Sequence, residues 1–167
     1  MCKPILLIGM MGCGKSTIGR LLAGRMGLPL IDLDEEIARA AGRSIPEIFA
    51  EEGDAGFRLH ETAALGRVLD AGEAVIATGG GIVTREENIR MMREKGVVVC
   101  RPLEDMIADG RQDTRPNLAG DKEERMRTLY AQRAHLYEAA AHLQFDNRMP
   151  PREAAKMLEK LLTERKK

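Results

Sequence analysis

The tract Gly9-Met10-Met11-Gly12-Cys13-Gly14-Lys15-Ser16-Thr17 carries the most explicit chemistry in the chain. It spells G-x-x-x-x-G-K-S between an apolar run, Ile5-Leu6-Leu7-Ile8, and a helical pattern, Ile18-Gly19-Arg20-Leu21-Leu22-Ala23. Glycines let successive backbone N–H groups curl into an anion-binding nest, and the following helix adds its positive end. A lysine at this position reaches the β- and γ-phosphates, and the next hydroxyl can ligate Mg²⁺. Gly12, Cys13, Gly14, Lys15, Ser16 and Thr17 are therefore candidate contacts of a nucleoside triphosphate. A thiol at position 13 would sit in the nest beside the helix N-terminus, which predicts a lowered pKa and sensitivity to alkylation, unless it is simply an inert small residue filling the loop.

Where the phosphoryl group goes depends on residues elsewhere. Asp32-Leu33-Asp34 closes the second apolar run. The period of a strand predicts two carboxylates facing the same way at its carboxyl end. Asp32 could hold a Mg²⁺ water and Asp34 could take a proton from an attacking hydroxyl, or Asp34 could cap a helix over Glu35–Ala41. Arg133 falls on the apolar stripe Met126, Leu129, Tyr130, Leu136, Tyr137 of a helix predicted over Lys122–Ala140. Arg58 shares a face with Thr62, Leu65 and Leu69. A cation on a core-facing stripe is costly unless it has an anion to bind or reaches solvent along its stem. Glu61, one turn after Arg58, is placed to orient its guanidinium. Gly79-Gly80-Gly81 ends the third apolar run, and bare backbone there admits close approach of a ligand or makes a tight turn.

These residues need a scaffold, and the rest of the sequence supplies one. Apolar strands over Lys3–Ile8, Pro29–Asp32, Ala74–Ala77, Val97–Cys100 and Leu143–Asp146 alternate with helical patterns. That order predicts parallel strands covered on both faces, with sites at their carboxyl ends. Ser44-Ile45-Pro46-Glu47 and Thr84-Arg85-Glu86-Glu87 read as capping boxes, and Pro151 opens the last helix. The polar stretch Asp109–Asp121, with two glycines and a proline, reads as a mobile loop that could close as a lid. At 167 residues the chain predicts a single domain. Lys+Arg and Asp+Glu both number 26, which argues against a basic nucleic-acid footprint, and 3% aromatics argue against base stacking. No apolar run approaches the ~18 residues that span a bilayer. Three cysteines without metal spacing, and a strand starting at the N-terminus, point to a cytoplasmic protein.

Taken together, these segments resemble the shikimate kinase family over nearly the whole length, from Ile5 to about Leu162. The resemblance rests on Gly9–Thr17, Asp32-Leu33-Asp34, Ser44–Phe49 leading to Glu52–Arg58, Thr78–Gly81, Thr114-Arg115-Pro116 and Arg133–Glu138, in that order. It implies a three-layer α/β/α phosphate-loop kinase, with a five-stranded parallel sheet in the order 2-3-1-4-5 and a lid over about 109–121. It implies ATP-dependent phosphorylation of the 3-hydroxyl of shikimate, with Mg²⁺ as cofactor, by a monomer that uses no nucleic acid or membrane. Residue by residue it implies Lys15, Asp34 and Arg115 in catalysis and Arg115 and Arg152 among the ATP contacts. Asp34, Arg58, Gly79, Gly80, Gly81 and Arg133 would bind shikimate, and Ser16 and Asp32 would serve the metal. Asn117, in the lid, stands where the family usually has leucine. A kinase for gluconate or a nucleotide, or a kinase-like binding module, are the competing readings.

Overall fold

The computed structural model describes residues 2–10, 15–100, 119–145 and 149–166. Met11, Gly12, Cys13 and Gly14 of the phosphate loop, and Arg115 with most of the expected lid, lie outside them. The sequence of elements is β1 (Ile5–Ile8), α1 (Lys15–Met26), β2 (Leu30–Asp32), α2 (Leu33–Ala41), α3 (Ile45–Asp70) and β3 (Val75–Ala77). A single 3-10 turn (Ile82–Thr84) follows, then α4 (Glu86–Lys95), β4 (Val97–Cys100), α5 (Ala119–Ala140), β5 (Leu143–Gln144) and α6 (Pro151–Glu164).

All strand pairings are parallel, in the order β2-β3-β1-β4-β5. The central strand β1 is buried at every position, as a strand covered on both faces must be. Alternate residues face opposite layers. Leu6, Ile8, Ile76, Val98 and Cys100 pack with residues of α2, α3, α4 and α5. Ile5, Leu7, Val75 and Val99 pack with Leu22 and Ala23 of α1 and Ala154, Leu158 and Leu162 of α6. Each full burial of a leucine or isoleucine contributes about 1.5–3 kcal/mol, so this sandwich is the main source of stability.

Local signals explain most element boundaries. Ser44 and Glu47 form the expected capping box: the Ser44 hydroxyl accepts from the Glu47 amide (3.3 Å), and the Glu47 carboxylate accepts from the Ser44 amide (2.8 Å). Pro151 occupies the first turn of α6. The box expected at Thr84 does not form. The Thr84 hydroxyl donates instead to the Gly81 carbonyl at 2.7 Å, closing the 3-10 turn, and α4 begins without a side-chain cap. The helix α3 is interrupted at Gly53 (φ 69°), a left-handed conformation that glycine adopts without a Cβ penalty. The helix containing Arg133 starts at Ala119, three residues before its expected start.

Candidate active site at the carboxyl edge of the sheet

The strand register brings the candidate residues to one level. Asp32 of β2 and Leu7 of β1 both pair with Ala77 of β3, so the segments leaving the three strands emerge side by side. Thr78 binds this edge together: its amide and hydroxyl both donate to the Leu7 carbonyl, at 3.2 and 3.0 Å. Beyond β1, the Lys15 ammonium donates to the carbonyls of Gly9 (2.7 Å) and Met10 (2.8 Å), which holds it at the start of the phosphate loop. Ser16 and Thr17 are exposed in the first turn of α1.

Asp32 ends β2 and caps α2, its Oδ1 accepting from the amides of Asp34 (2.9 Å) and Glu35 (3.3 Å). The cap is therefore Asp32 rather than Asp34. Asp34 lies in the first helical turn, so strand alternation does not set its direction. It still faces the site, since a Cβ placed on Gly79 would lie 3.4 Å from its Oδ1. Asp34 has solvent on one side and protein on the other. Partial burial, and then the Asp32 charge, raise its carboxyl pKa above the ordinary value, while Lys15 and Arg58 pull the other way.

Arg58 and Glu61 form the most enclosed ion pair of the described residues. Arg58 Nη1 donates to Glu61 Oε1 at 2.9 Å; the arginine side chain is 16% exposed and the carboxylate 1%. Asp54 lies 3.5 Å from the other Nη, and the guanidinium carbon sits 5.2 Å from the Phe57 ring centre. Burial raises the Glu61 pKa, with the Arg58 hydrogen bond opposing it. The glycines beyond β3 make room for this pair. A Cβ on Gly81 would lie 2.6 Å from the guanidinium carbon, and one on Gly79 would lie 3.5 Å from Glu61 Oε2. None of Gly79, Gly80 and Gly81 has a positive φ. Close approach, rather than a left-handed backbone, requires glycine here.

Two buried polar side chains, neither singled out by its sequence pattern, hold the turn over residues 79–84. Tyr137 is 2% exposed and donates to the Gly80 carbonyl at 2.5 Å. Asn88, fully buried, donates to the Ile82 carbonyl (3.0 Å) and accepts from Thr62 on α3 (2.8 Å). Thr62 in turn accepts from Arg85 at 2.8 Å. For Asn88 a signal was present: a polar residue four positions before buried Met92, on the inner face of α4. Arg133 is half-buried one turn before Tyr137, on the same face of α5.

The structure thus gathers Lys15, Asp32, Asp34, Arg58 and Gly79–Gly81 at one edge and leaves Arg133 on a helix bonded to it. Arg152 is exposed in the first turn of α6. Because β1 and β5 run parallel, α1 and α6 run parallel as well, and Arg25 pairs with Glu159 across them at 2.7 Å. That puts the N-termini of α1 and α6, and Arg152 with them, at the carboxyl edge. Ser16 and Asp32, the residues expected to serve a metal, are oxygen donors of the kind that suit Mg²⁺, which typically takes one or two carboxylates together with phosphate oxygens rather than an all-protein cage. Among the described residues, no cluster of three or more His, Cys, Asp or Glu could hold a metal ion.

Comparisons with known proteins agree with this arrangement. A family model described as shikimate kinase matches residues 11–163. A shikimate kinase of Ruegeria pomeroyi is 42% identical over 142 residues, 83% of this chain and 73% of its own. One from Marinomonas is 42% identical over 163 residues, 93% and 90% of the two chains. The structure of an Acinetobacter baumannii shikimate kinase in complex with shikimate superposes with a TM-score of 0.86 at 35% identity, covering 99% of this chain and 96% of that one. A gluconokinase from Sinorhizobium meliloti, at 16% identity and a TM-score of 0.53, shares the fold alone. With a phosphate-loop lysine, a carboxylate pair and an enclosed Arg–Glu pair meeting at the edge of a 2-3-1-4-5 sheet, the chain belongs to the shikimate kinase family, the kinases that transfer phosphate from ATP to shikimate.

Proposed function

We propose that the chain phosphorylates the 3-hydroxyl of shikimate through the following division of roles. Residues Gly12–Thr17 cradle the phosphates of ATP, with Lys15 and Arg115 on the transferring group and Arg152 on the nucleotide side. Ser16 and Asp32 would hold Mg²⁺, which would offset charge on the phosphate oxygens. Arg58 and Arg133 take the shikimate carboxylate, and Gly79–Gly81 offers backbone to its hydroxyls. Asp34 accepts the hydroxyl proton as that oxygen bonds to the γ-phosphorus; the bond to the bridging oxygen breaks and its electron pair leaves with ADP.

The arrangement of Asp34, Arg58, Glu61 and Gly81 around the end of β3 carries this reading. It supplies both parts that a hydroxylated carboxylic acid requires, a fork for the carboxylate and a nearby base. The raised Asp34 pKa moves a carboxylate towards the range where it can hold a transferred proton. Asp34→Asn tests the assignment. We expect kcat to fall about 10²–10⁴-fold, the usual contribution of a general base, with ADP affinity within twofold of wild type. Unchanged kcat removes Asp34 from the chemistry.

The enzyme is further proposed to be a single domain over 1–167 with a lid over about 109–121, the last three residues of which belong to the start of α5, acting as a cytoplasmic monomer on two small molecules. Charges balance across the chain, and among the described residues no helix is long and apolar enough to cross a membrane. Sedimentation at micromolar concentration checks the monomer, and a dimer overturns it.

A further inference from the structure

We propose that Tyr137 is a positioning residue whose hydroxyl, bonded to the Gly80 carbonyl, fixes the acceptor-binding turn relative to the phosphate loop and to Arg133. The inference rests on the assignment of Gly79–Gly81 and Arg133 to shikimate.

Tyr137 is among the largest fully buried side chains and lies on α5, yet its hydroxyl partner is in neither a helix nor a strand. It reaches the carbonyl of the middle glycine of the turn, 57 positions earlier in sequence. The same oxygen lies 3.4 Å from Sδ of Met10, the second residue beyond β1 and part of the phosphate-loop motif. A hydroxyl has one hydrogen, and a carbonyl is a far better acceptor than a thioether, so the donated bond goes to Gly80 and Met10 packs against it. Three segments meet at this one oxygen: the end of β1, the turn after β3 and the Arg133 face of α5.

The turn needs such a hold. Three successive glycines leave its backbone with few steric restraints. Asn88 secures its far end at Ile82, and Ile82 and Thr84 donate to the carbonyls of Gly79 and Gly81, which leaves the Gly80 carbonyl between them to Tyr137. Without the Tyr137 hydroxyl, the buried Gly80 carbonyl has no other donor among the described residues, and the peptide plane turns to find one. The Gly81 amide shares that peptide plane and turns with it, and it is among the groups offered to the shikimate hydroxyls. ATP meets backbone before and within α1, so its binding is not disturbed in the same way.

Tyr137→Phe removes the hydroxyl and keeps the ring. Wild-type turnover is measured first across shikimate, gluconate and nucleoside monophosphates; failure there rejects the substrate assignment and is distinct from failure of the variant test. If shikimate is the substrate, we expect the variant's KM for shikimate to rise about 5- to 50-fold, the usual penalty for a buried unsatisfied group. KM for ATP stays within twofold, and amide exchange over residues 79–84 quickens while that over β2 and α2 does not. A shikimate KM within twofold of wild type overturns the proposal. Equal rises in both KM values, the mark of general loosening, overturn it too. Tyr137→Met, which also lacks the hydroxyl, should show the same split; if neither variant folds, Tyr137 is a stability determinant and the proposal fails.

Discussion

The proposed acceptor and donor sides of the site are built differently. On the acceptor side the side chains hold one another. Glu61 pairs with Arg58 at 1% exposure, Asn88 is fully buried between Ile82 and Thr62, and Tyr137 reaches Gly80. On the donor side the described groups lie open: Ser16, Thr17 and Arg152 are exposed, and Lys15 leans on backbone carbonyls. The contrast suits the proposed ligands. A triphosphate carries enough charge to be gathered by backbone N–H groups, a helix terminus and a mobile cation. A small cyclic acid carries one negative charge and neutral hydroxyls, so selecting it requires polar groups fixed beforehand. Changes on the acceptor side should therefore alter stability and shikimate binding together, leaving ATP binding alone.

Arg58→Ala tests that coupling most severely. It strips the partner from a nearly inaccessible carboxylate, and breaking a buried pair from one side costs about 3–5 kcal/mol. Protonation of Glu61, whose pKa burial already raises, absorbs part of that cost. We expect about 2–4 kcal/mol lost at pH 7 by denaturant titration and a shikimate KM raised at least about tenfold, with ADP affinity unchanged. The pH dependence has a definite sign. A carboxyl whose folded pKa is raised contributes stability below its unfolded pKa and loses it as pH rises through the folded one. Removing Arg58 raises the Glu61 pKa further, so the stability gap between variant and wild type should narrow as pH falls towards 5. A gap that widens on acidification would show that Glu61 is not the group left unpaired.

The same contrast separates what the sequence makes legible from what it hides. The motif expected to meet the donor is local: Gly9–Thr17 is contiguous in sequence, so spacing alone suggests it, and Lys15, Ser16 and Thr17 open α1. The strands are legible because their burial on both faces makes them apolar throughout. Arg58 is legible because a cation on an apolar stripe demands a partner, and Glu61 sits one turn away. Asp34 is harder. Alternation along β2 predicts its direction only if the strand continues, and Asp32 ends it by capping α2. Thr84 carries the signature of a cap, yet the Gly81 carbonyl lies closer to hand. Tyr137 reads as one more apolar residue, since nothing local in sequence indicates a carbonyl 57 positions away. Tertiary partners of that kind appear only once the sheet order is in place.

A smaller effect distinguishes the two carboxylates after β2. With its pKa raised by partial burial and by Asp32, Asp34 loses its proton at a higher pH than an ordinary aspartate. If it is the base, activity requires the ionised form and falls as pH drops through that raised value. The acid limb of kcat/KM should therefore lie above the usual aspartate range near 3.9. Asp34→Glu, which keeps a carboxylate but moves it, should retain an acid limb at lower rate, whereas Asp34→Asn should lose it. An acid limb that persists in the Asn variant belongs to another group.

The smallest expected change lies at the start of α3. Ser44→Ala removes half of a capping box and should cost about 1 kcal/mol, or about 2–4 °C in melting temperature for a chain of this size. Its interest lies in what it leaves unchanged. Ser44 precedes Gly53, where α3 leaves helical geometry, and Arg58 follows it. Fraying of the first turn does not propagate through a helix whose hydrogen-bond ladder is already interrupted, and Ile48, fully buried, pins the segment just beyond the cap. Both KM values and kcat should therefore stay within twofold of wild type while the melting temperature falls. A shikimate KM that rises with Ser44→Ala would mean that strain crosses Gly53, carried through the Phe49–Phe57 stack whose ring centres lie 4.4 Å apart on opposite sides of the break.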